Sequence, residues 1–242
     1  MPVFSPLSKS KYFVIVFRLF SLVFSVWGII AITGIFKNAF NPVTLLAYTV
    51  QSNILVAVFF CVLLTRTILR IIGKEKHVLM LEKPYGFFPR LSAFVSLAIF
   101  VTMLVFWFIL APVYVQGAGM RGLLALDNLA VHLITPLLML MDYLLFTERG
   151  KLKKYDPLLC AVIPYAYLLE AMILGLTRMV RYDSLGNHSY YPYIFLDIDR
   201  FGAWVILMVA AITLFFMLIA FFWQRLDKKL GTKARRPKPC PT

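Results

Sequence analysis

Six long apolar runs constrain the fold of this chain more than any other feature. The hydrocarbon core of a bilayer needs about 20 apolar residues per helix, and the runs that reach this length are Tyr12–Ile35, Val43–Leu64, Leu91–Val115, Leu126–Phe146, Pro157–Met179 and Phe201–Gln224. The connections between them are too short for a soluble domain, and backbone polar groups in hydrocarbon must be bonded within the span. The sequence therefore predicts an all-α, polytopic membrane protein, with residues 1–242 forming one bundle of six transmembrane helices.

Composition supports a membrane protein and argues against other classes. Hydrophobic residues make up 61% of the chain and charged residues 15%, whereas soluble domains are closer to one half and one quarter. The net charge of +14 is interleaved with the spans, so no basic domain is left to bind nucleic acid. Cys61 and Cys160 fall inside spans and Cys240 near the C-terminus, a pattern that predicts neither disulfides nor a metal site. The first run is too long for a signal peptide and is interpreted as an uncleaved first helix.

The distribution of Lys and Arg predicts the orientation. Of the 25 basic residues, 20 lie in the N-terminal segment, the second and fourth connections and the C-terminal tail, and five lie in the other connections. By the positive-inside rule both termini face the cytoplasm. The membrane is then a bacterial inner membrane or, in a eukaryote, the endoplasmic reticulum or plasma membrane. Residues 225–242 are predicted to be a flexible basic tail, which is either an orientation signal or a binding segment for anionic lipid headgroups.

The second span carries an unusual polar cluster in "LLAYTVQSNILVAVFF". At about 100° per residue, Thr49, Ser52 and Asn53 share one helix face, while Gln51 points elsewhere. Such residues in a membrane helix either form hydrogen bonds between helices or mark a functional site.

The fourth span contains the only histidine within any span, His132. Asn128 and Thr135 share its helix face. A histidine in a bundle is either a structural hydrogen-bonding residue or a group that exchanges protons near neutral pH. At 1.5 Å per residue, Thr49 and His132 are expected roughly 6–9 Å and roughly 9 Å from the outer ends of their spans. A hydroxyl and an imidazole at similar depth are compatible with a nucleophile and its base.

Three other intramembrane charges need partners. Arg18 in the first span and Asp142 in the fourth both lie toward the cytoplasmic end and are predicted to form a buried structural pair. Glu170, near the middle of the fifth span, has no partner that the sequence identifies. It is either a satisfied core carboxylate or a functional group.

The fifth connection is the longest on the outer side. Its segment Asp183–Asp199 is rich in aromatic residues, including Tyr190, Tyr191 and Tyr193. Aromatic side chains of this kind are typical of the membrane interface. We expect this segment to cover the outer mouth of the bundle.

With these residues identified, the chain resembles a known family. It is similar to the androgen-induced and androgen-dependent TFPI-regulating proteins, which are integral-membrane threonine hydrolases, and to their bacterial membrane relatives. The likeness covers nearly the whole chain: a Thr early in the second span ("AYTVQSNILVAVFF"), a His before a Pro in the fourth ("VHLITPLLMLMDY"), the "YYPYIFLDI" segment before the last span, and the six-span plan. The "TVQSN" run is most like the bacterial members.

The resemblance implies a function for two residues. In the family the matching Thr and His are the catalytic pair that hydrolyses fatty acid esters of hydroxy fatty acids, and here they fall on Thr49 and His132. The expected activity is hydrolysis of a lipid or fatty-acyl ester without a cofactor or metal. Asn53 and Ser52 are then candidate oxyanion donors, and Asn128 is a candidate for orienting the imidazole.

Two other classes of protein compete with the hydrolase. The main alternative is a non-enzymatic transporter or receptor-like protein in which Thr49 and His132 form packing hydrogen bonds. A transmembrane haem protein usually needs a pair of axial ligands, whereas the spans contain one histidine.

Overall fold

Helices account for almost all of the structure. The computed structural model describes residues 11–72, 89–181 and 188–235; it is 83% helical without strands. Six helices are long and apolar enough to cross a membrane: α1 (Lys11–Ile32), α2 (Tyr48–Ile71), α3 (Pro89–Leu123), α4 (Leu126–Phe146), α5 (Asp156–Leu176) and α6 (Trp204–Arg235). The predicted fold class is confirmed. The cytoplasmic location of the termini stays a prediction, and "outer" below means the end with the α1–α2, α3–α4 and α5–α6 connections.

The start of α2 differs from the prediction and corrects the depth of Thr49. The side chain of Asn41 accepts a hydrogen bond from the Val43 amide and Pro42 begins a short 3₁₀ turn, Pro42–Leu46. Ala47 is then extended, with φ −77° and ψ 137°, so that α2 begins at Tyr48. Thr49 therefore lies in the first turn of α2, and the expected depth of roughly 6–9 Å within the helix is wrong. The bounds of α4 agree with the predicted span.

The end of α6 also differs from the prediction. The helix continues to Arg235, so residues 225–235 are helical rather than a flexible tail; residues 236–242 lie outside the described part of the chain. Asp227 explains the extension, because its carboxylate accepts hydrogen bonds from the Tyr143 hydroxyl at 2.8 Å and the Gly150 amide at 2.9 Å. A Cβ on Gly231 would lie 2.6 Å from the Cα of Gly150. This close approach fixes the α4–α5 connection against α6.

The first four helices form the central bundle. α1 packs on α2 and α4, and α3 packs on α2 and α4. Their shared core contains Val56, Phe60 and Leu63 of α2 together with Ile99 and Met139. α5 and α6 lie beside this bundle and join it through a second core cluster toward the end opposite the outer one. The outward faces of the six helices are apolar and exposed, as expected where lipid replaces water.

The expected pair of Arg18 and Asp142 is present and ties three helices together. Arg18 Nε donates to Asp142 Oδ1 at 2.7 Å and Nη2 donates to Oδ2 at 3.2 Å. The remaining guanidinium nitrogen, Nη1, donates to Thr67 Oγ1 at 2.6 Å and to the Leu63 carbonyl at 3.3 Å. Arg18 and Asp142 are 1% and 0% exposed. A buried charge pair is tolerated when the ion pair is bidentate and further hydrogen bonds satisfy the remaining donors.

Candidate functional site

The polar site begins with a break in the hydrogen bonding of α4. Residues Ala130–Ile134 form a π-turn, in which the Thr135 amide bonds to the Ala130 carbonyl five residues earlier. Pro136 follows and has no N–H to donate. The carbonyls of Val131 and His132 would take their donors from positions 135 and 136, so both lose their helical partners. The sequence "VHLITP" therefore leaves two carbonyls that other helices must satisfy.

Side chains of the two neighbouring helices donate hydrogen bonds to these carbonyls. Trp107 Nε1 on α3 donates to the His132 carbonyl at 3.0 Å. Asn53 Nδ2 on α2 donates to the Val131 carbonyl at 3.0 Å. Since an unsatisfied carbonyl in hydrocarbon costs several kcal/mol, these two bonds fix α2 and α3 against the π-turn.

A second π-turn lies opposite the first. Residues Phe106–Leu110 of α3 form it, and Pro112 follows just as Pro136 does in α4. The Phe106 ring stacks on the His132 imidazole, with 3.5 Å between ring centroids and 17° between ring planes. π-turns are often found at functional sites because they redirect side chains locally.

His132 is held in one tautomer by its own helix. The ring is 7% exposed, and Nδ1 lies 3.1 Å from the carbonyl oxygen of Asn128. A carbonyl can only accept, so the proton of the neutral imidazole is on Nδ1 and the lone pair is on Nε2. The Asn128 main chain therefore orients His132, whereas the Asn128 side chain donates to the Leu123 carbonyl at 2.8 Å. The structure thus places Asn128 beside His132 as expected, but through a different atom.

An ion pair at the outer surface supports this arrangement. Asp127 Oδ1 accepts the Asn128 amide at 2.9 Å, and Asp127 Oδ2 accepts Lys37 Nζ at 2.5 Å. The hydrogen bond and charge of Asp127 raise the pKa of Lys37. The α1–α2 connection is thereby tied to the start of α4, one turn above His132.

Asn53 brings the Thr49 and His132 regions together. Its Nδ2 donates to the Thr49 carbonyl at 2.7 Å as well as to that of Val131. Thr49 and the residue before His132 are therefore bonded to the same nitrogen atom. Both Nδ2 protons are used, so the expectation that Asn53 donates to an oxyanion is not supported by this geometry. The Asn53 Oδ1 atom is buried and has no hydrogen-bond partner.

Ser52 is also engaged in packing. Its hydroxyl lies 3.0 Å from the Thr49 carbonyl and 3.1 Å from Thr102 Oγ1 on α3. Thr102 in turn lies 3.1 Å from the Ala98 carbonyl. Because the Ser52 hydroxyl has one proton, these contacts use its donor. It joins α2 to α3 rather than offering a free donor.

Thr49 is 7% exposed and lies at the wall of a cavity of about 120 Å³. Its amide donates to the Tyr193 hydroxyl at 3.4 Å. Within the described ranges no hydrogen bond joins Thr49 to His132, and the imidazole does not line the cavity. The structure thus brings the two regions together without placing the two side chains in contact.

The fifth connection covers α2 and α5 at the outer end. Tyr191 and Tyr193 are buried, at 2% and 7% exposed, and Tyr191 packs where a Cβ on Gly175 would clash with its ring. Ser189 Oγ donates to Asp197 Oδ2 at 2.9 Å and fixes the segment. The described part of the expected cap, 188–199, is therefore docked; residues 183–187 lie outside the described residues.

Glu170 has a partner that sequence reasoning missed. Gln51 Nε2 of α2 donates to Glu170 Oε1 at 2.8 Å. Gln51 indeed points away from Thr49, and this direction takes it toward α5. A polar residue within each span indicated that both needed partners. Their pairing depends on how helices distant in sequence pack together, which the sequence does not give.

Comparisons with known proteins do not identify a family for this chain, so its class is inferred from the fold and the site. No protein-family model matches the chain, and neither a curated protein nor a solved structure is found to be similar to it. The described residues contain no group of three His, Cys, Asp or Glu side chains that could hold a metal ion. The structure therefore defines a multi-pass α-helical membrane protein with a polar site near the outer end of its bundle.

Proposed function

We propose that this protein is an intramembrane hydrolase of acyl esters, with Thr49 as nucleophile and His132 as base. The observation that carries the proposal is the orientation of His132, whose Nδ1–H donates a hydrogen bond to the Asn128 carbonyl. This leaves Nε2 as a proton acceptor, which is the form a general base needs. Two further features support it: Thr49 lines a cavity suited to an acyl chain, and Asn53 bonds both halves of the site.

The reaction would proceed in two steps. Thr49 Oγ1 attacks the ester carbonyl carbon as its proton passes to His132 Nε2, and the alcohol leaves with that proton. Water then attacks the acyl-threonine, again losing a proton to Nε2, and the fatty acid and free Thr49 result. The two side chains must approach to about 2.6–3.2 Å for this, and catalytic hydrogen bonds often shorten to that range only when substrate is bound.

The test is cleavage of a long-chain p-nitrophenyl ester by the purified protein. Thr49→Val and His132→Gln should each lower turnover by about 10²–10⁴-fold, and the double variant should be little worse because the two groups act together. Thr49→Ser should retain part of the activity. Thr33→Val is the matched control, since Thr33 is also buried and its hydroxyl donates to the Ile30 carbonyl at the end of α1, away from His132; it should behave like the wild type.

A fluorophosphonate probe gives an independent readout. It should label Thr49 in the wild-type protein and fail to label Thr49→Val. Turnover by Thr49→Val at the wild-type rate, or a wild-type protein that cleaves no ester, would reject the hydrolase.

The non-enzymatic alternative is favoured by one observation. Thr49 and His132 are not in contact, while the surrounding bonds of Asn53, Trp107 and Ser52 all join helices. In a transporter or receptor-like protein these bonds would simply stabilise the bundle. Such a protein would bind a ligand in the cavity and leave it chemically unchanged.

A further inference from the structure

The cavity beside Thr49 lies within the membrane-spanning part of the bundle. It is lined by residues of α2, α3, α5, α6 and the docked fifth connection. Along α6 it extends from Val209 to Phe216, a length of about 10 Å at 1.5 Å per residue. A space of about 120 Å³ is much larger than a single water needs. Its volume and length suit part of a linear hydrocarbon chain.

The wall of the cavity restricts the chemistry of a ligand. None of the described residues that line it is charged, and most are aliphatic or aromatic. An ionised headgroup placed there would lose its hydration without gaining a counterion. The cavity therefore favours an uncharged ligand over a fatty-acid anion or a quaternary amine.

One end of the cavity is polar. The Tyr193 hydroxyl accepts the Thr49 amide at 3.4 Å. Burial raises the pKa of Tyr193, so the phenol keeps its proton at neutral pH. Because accepting a bond from the Thr49 amide does not use that proton, Tyr193 can donate to a carbonyl oxygen bound beside Thr49.

The side of the cavity toward lipid lies between α5 and α6. Near the end opposite the outer one these helices are held together by a cluster that includes Cys160 and Trp223. Farther out, the Tyr165 and Thr213 hydroxyls bridge the two helices at 3.0 Å, and Tyr165 is 46% exposed. Both residues also line the cavity. A single hydrogen bond between exposed side chains is a small barrier to a chain arriving from the bilayer.

From these observations we infer that the cavity is a binding site for one acyl chain with an uncharged carbonyl head. The chain enters from the bilayer between α5 and α6, and its carbonyl oxygen accepts a hydrogen bond from Tyr193. The inference rests on the proposed function only for the later cleavage of a bound ester. For this reason its test uses a ketone, which has the carbonyl but no ester bond to cleave.

The experiment is photolabelling of the purified protein in lipid nanodiscs with 2-heptadecanone that carries an alkyl diazirine in the half of its chain nearer the carbonyl, so that the diazirine lies within the length of the cavity. Labelled peptides should map to residues 209–216 of α6 and 101–105 of α3. An excess of unlabelled 2-heptadecanone should compete, whereas hexadecanesulfonate, a permanent anion of similar length, should compete far less. Equal labelling of all lipid-facing helix surfaces, or equal competition by the anion, would overturn the inference.

Two pairs of variants separate specific binding from general effects. Ile212→Trp fills the cavity and should reduce labelling about tenfold. Leu214→Trp is its control on the same helix, since Leu214 is 62% exposed and does not line the cavity; labelling should stay near the wild-type level. Tyr193→Phe removes one hydrogen bond and should weaken ketone binding about 2–10-fold, whereas competition by heptadecane, which has no carbonyl, should not change.

The outcomes distinguish this inference from the proposed function. Ester cleavage together with labelling that Ile212→Trp does not reduce would reject the acyl-chain site and leave the hydrolase standing. Specific labelling of a protein that cleaves no ester would support the binding site and reject the hydrolase.

Discussion

The buried pair of Arg18 and Asp142 permits a quantitative prediction of stability. Asp142→Asn keeps the shape of the side chain but removes the charge that balances Arg18. Both residues are at most 1% exposed, so the guanidinium cannot recover its hydration. Loss of one partner of a buried pair typically costs about 3–5 kcal/mol. We expect Asp142→Asn to lower the free energy of unfolding by that amount.

Two comparison variants test the reasoning. Thr67→Val removes the 2.6 Å hydrogen bond from Arg18 and the 2.7 Å hydrogen bond that the Thr67 hydroxyl donates to the Leu63 carbonyl. At the average of about 0.6 kcal/mol for a hydrogen bond in a membrane bundle, the loss of both should cost about 1 kcal/mol. The double variant Arg18→Met with Asp142→Leu removes both charges. It should be more stable than Asp142→Asn alone, because replacing a buried ion pair with apolar side chains is often neutral or favourable.

Reversible unfolding in mixed micelles, followed by circular dichroism, measures these differences. The decisive comparison is between the single and double variants, since both lose the ion pair but only one leaves a buried charge. An Asp142→Asn protein within about 1 kcal/mol of the wild type, far below the usual cost of breaking a buried pair, would refute the argument. So would a double variant that is less stable than the single one.

Three further predictions concern the site and the topology. Pro136→Ala supplies an N–H that can donate a hydrogen bond to the His132 carbonyl in place of Trp107. The helix should be at least as stable, ester turnover should fall, and the indole fluorescence should shift. Unchanged turnover and fluorescence would contradict the role given to the proline. Gln51→Leu leaves Glu170 without its 2.8 Å donor and should lower Tm more than the combined replacement of both residues by Leu; the opposite order would contradict the pairing. Lys153→Cys should resist an impermeant thiol reagent added to sealed cells, and labelling from outside would reverse the predicted orientation.

The sequence predicted the helices better than their ends. Length and hydropathy identified all six spans, and the bounds of α4 agreed with the structure. The start of α2 was missed because Asn41 and Pro42 form a 3₁₀ turn in an apolar segment that hydropathy cannot distinguish from a helix. The end of α6 was missed because Asp227 bonds a distant connection. In both cases local hydrogen bonds, rather than hydrophobicity, set the boundary.

The sequence predicted which residues form the site, but it did not predict their hydrogen-bond partners. Helical periodicity correctly grouped Ser52 and Asn53 with Thr49, and the Arg18–Asp142 contact was expected from charge and depth. The roles of Asn53 and Trp107 could not be foreseen, since they depend on carbonyls that the π-turn leaves open. The proline at position 136 was the available signal: a proline four residues after His132 always removes the helical donor to its carbonyl.

In the part of the chain that the structure describes, the hydrogen bonds around His132 leave one of its two ring nitrogens unused. Asn53, Ser52, Trp107 and the Asn128 main chain form the hydrogen bonds that pack the helices or hold the imidazole. Within the described residues, the hydrogen bonds of the His132 ring involve Nδ1 alone, so packing does not use the basic nitrogen. A tautomer with Nε2 left as an acceptor is the form that proton transfer in the proposed hydrolase needs.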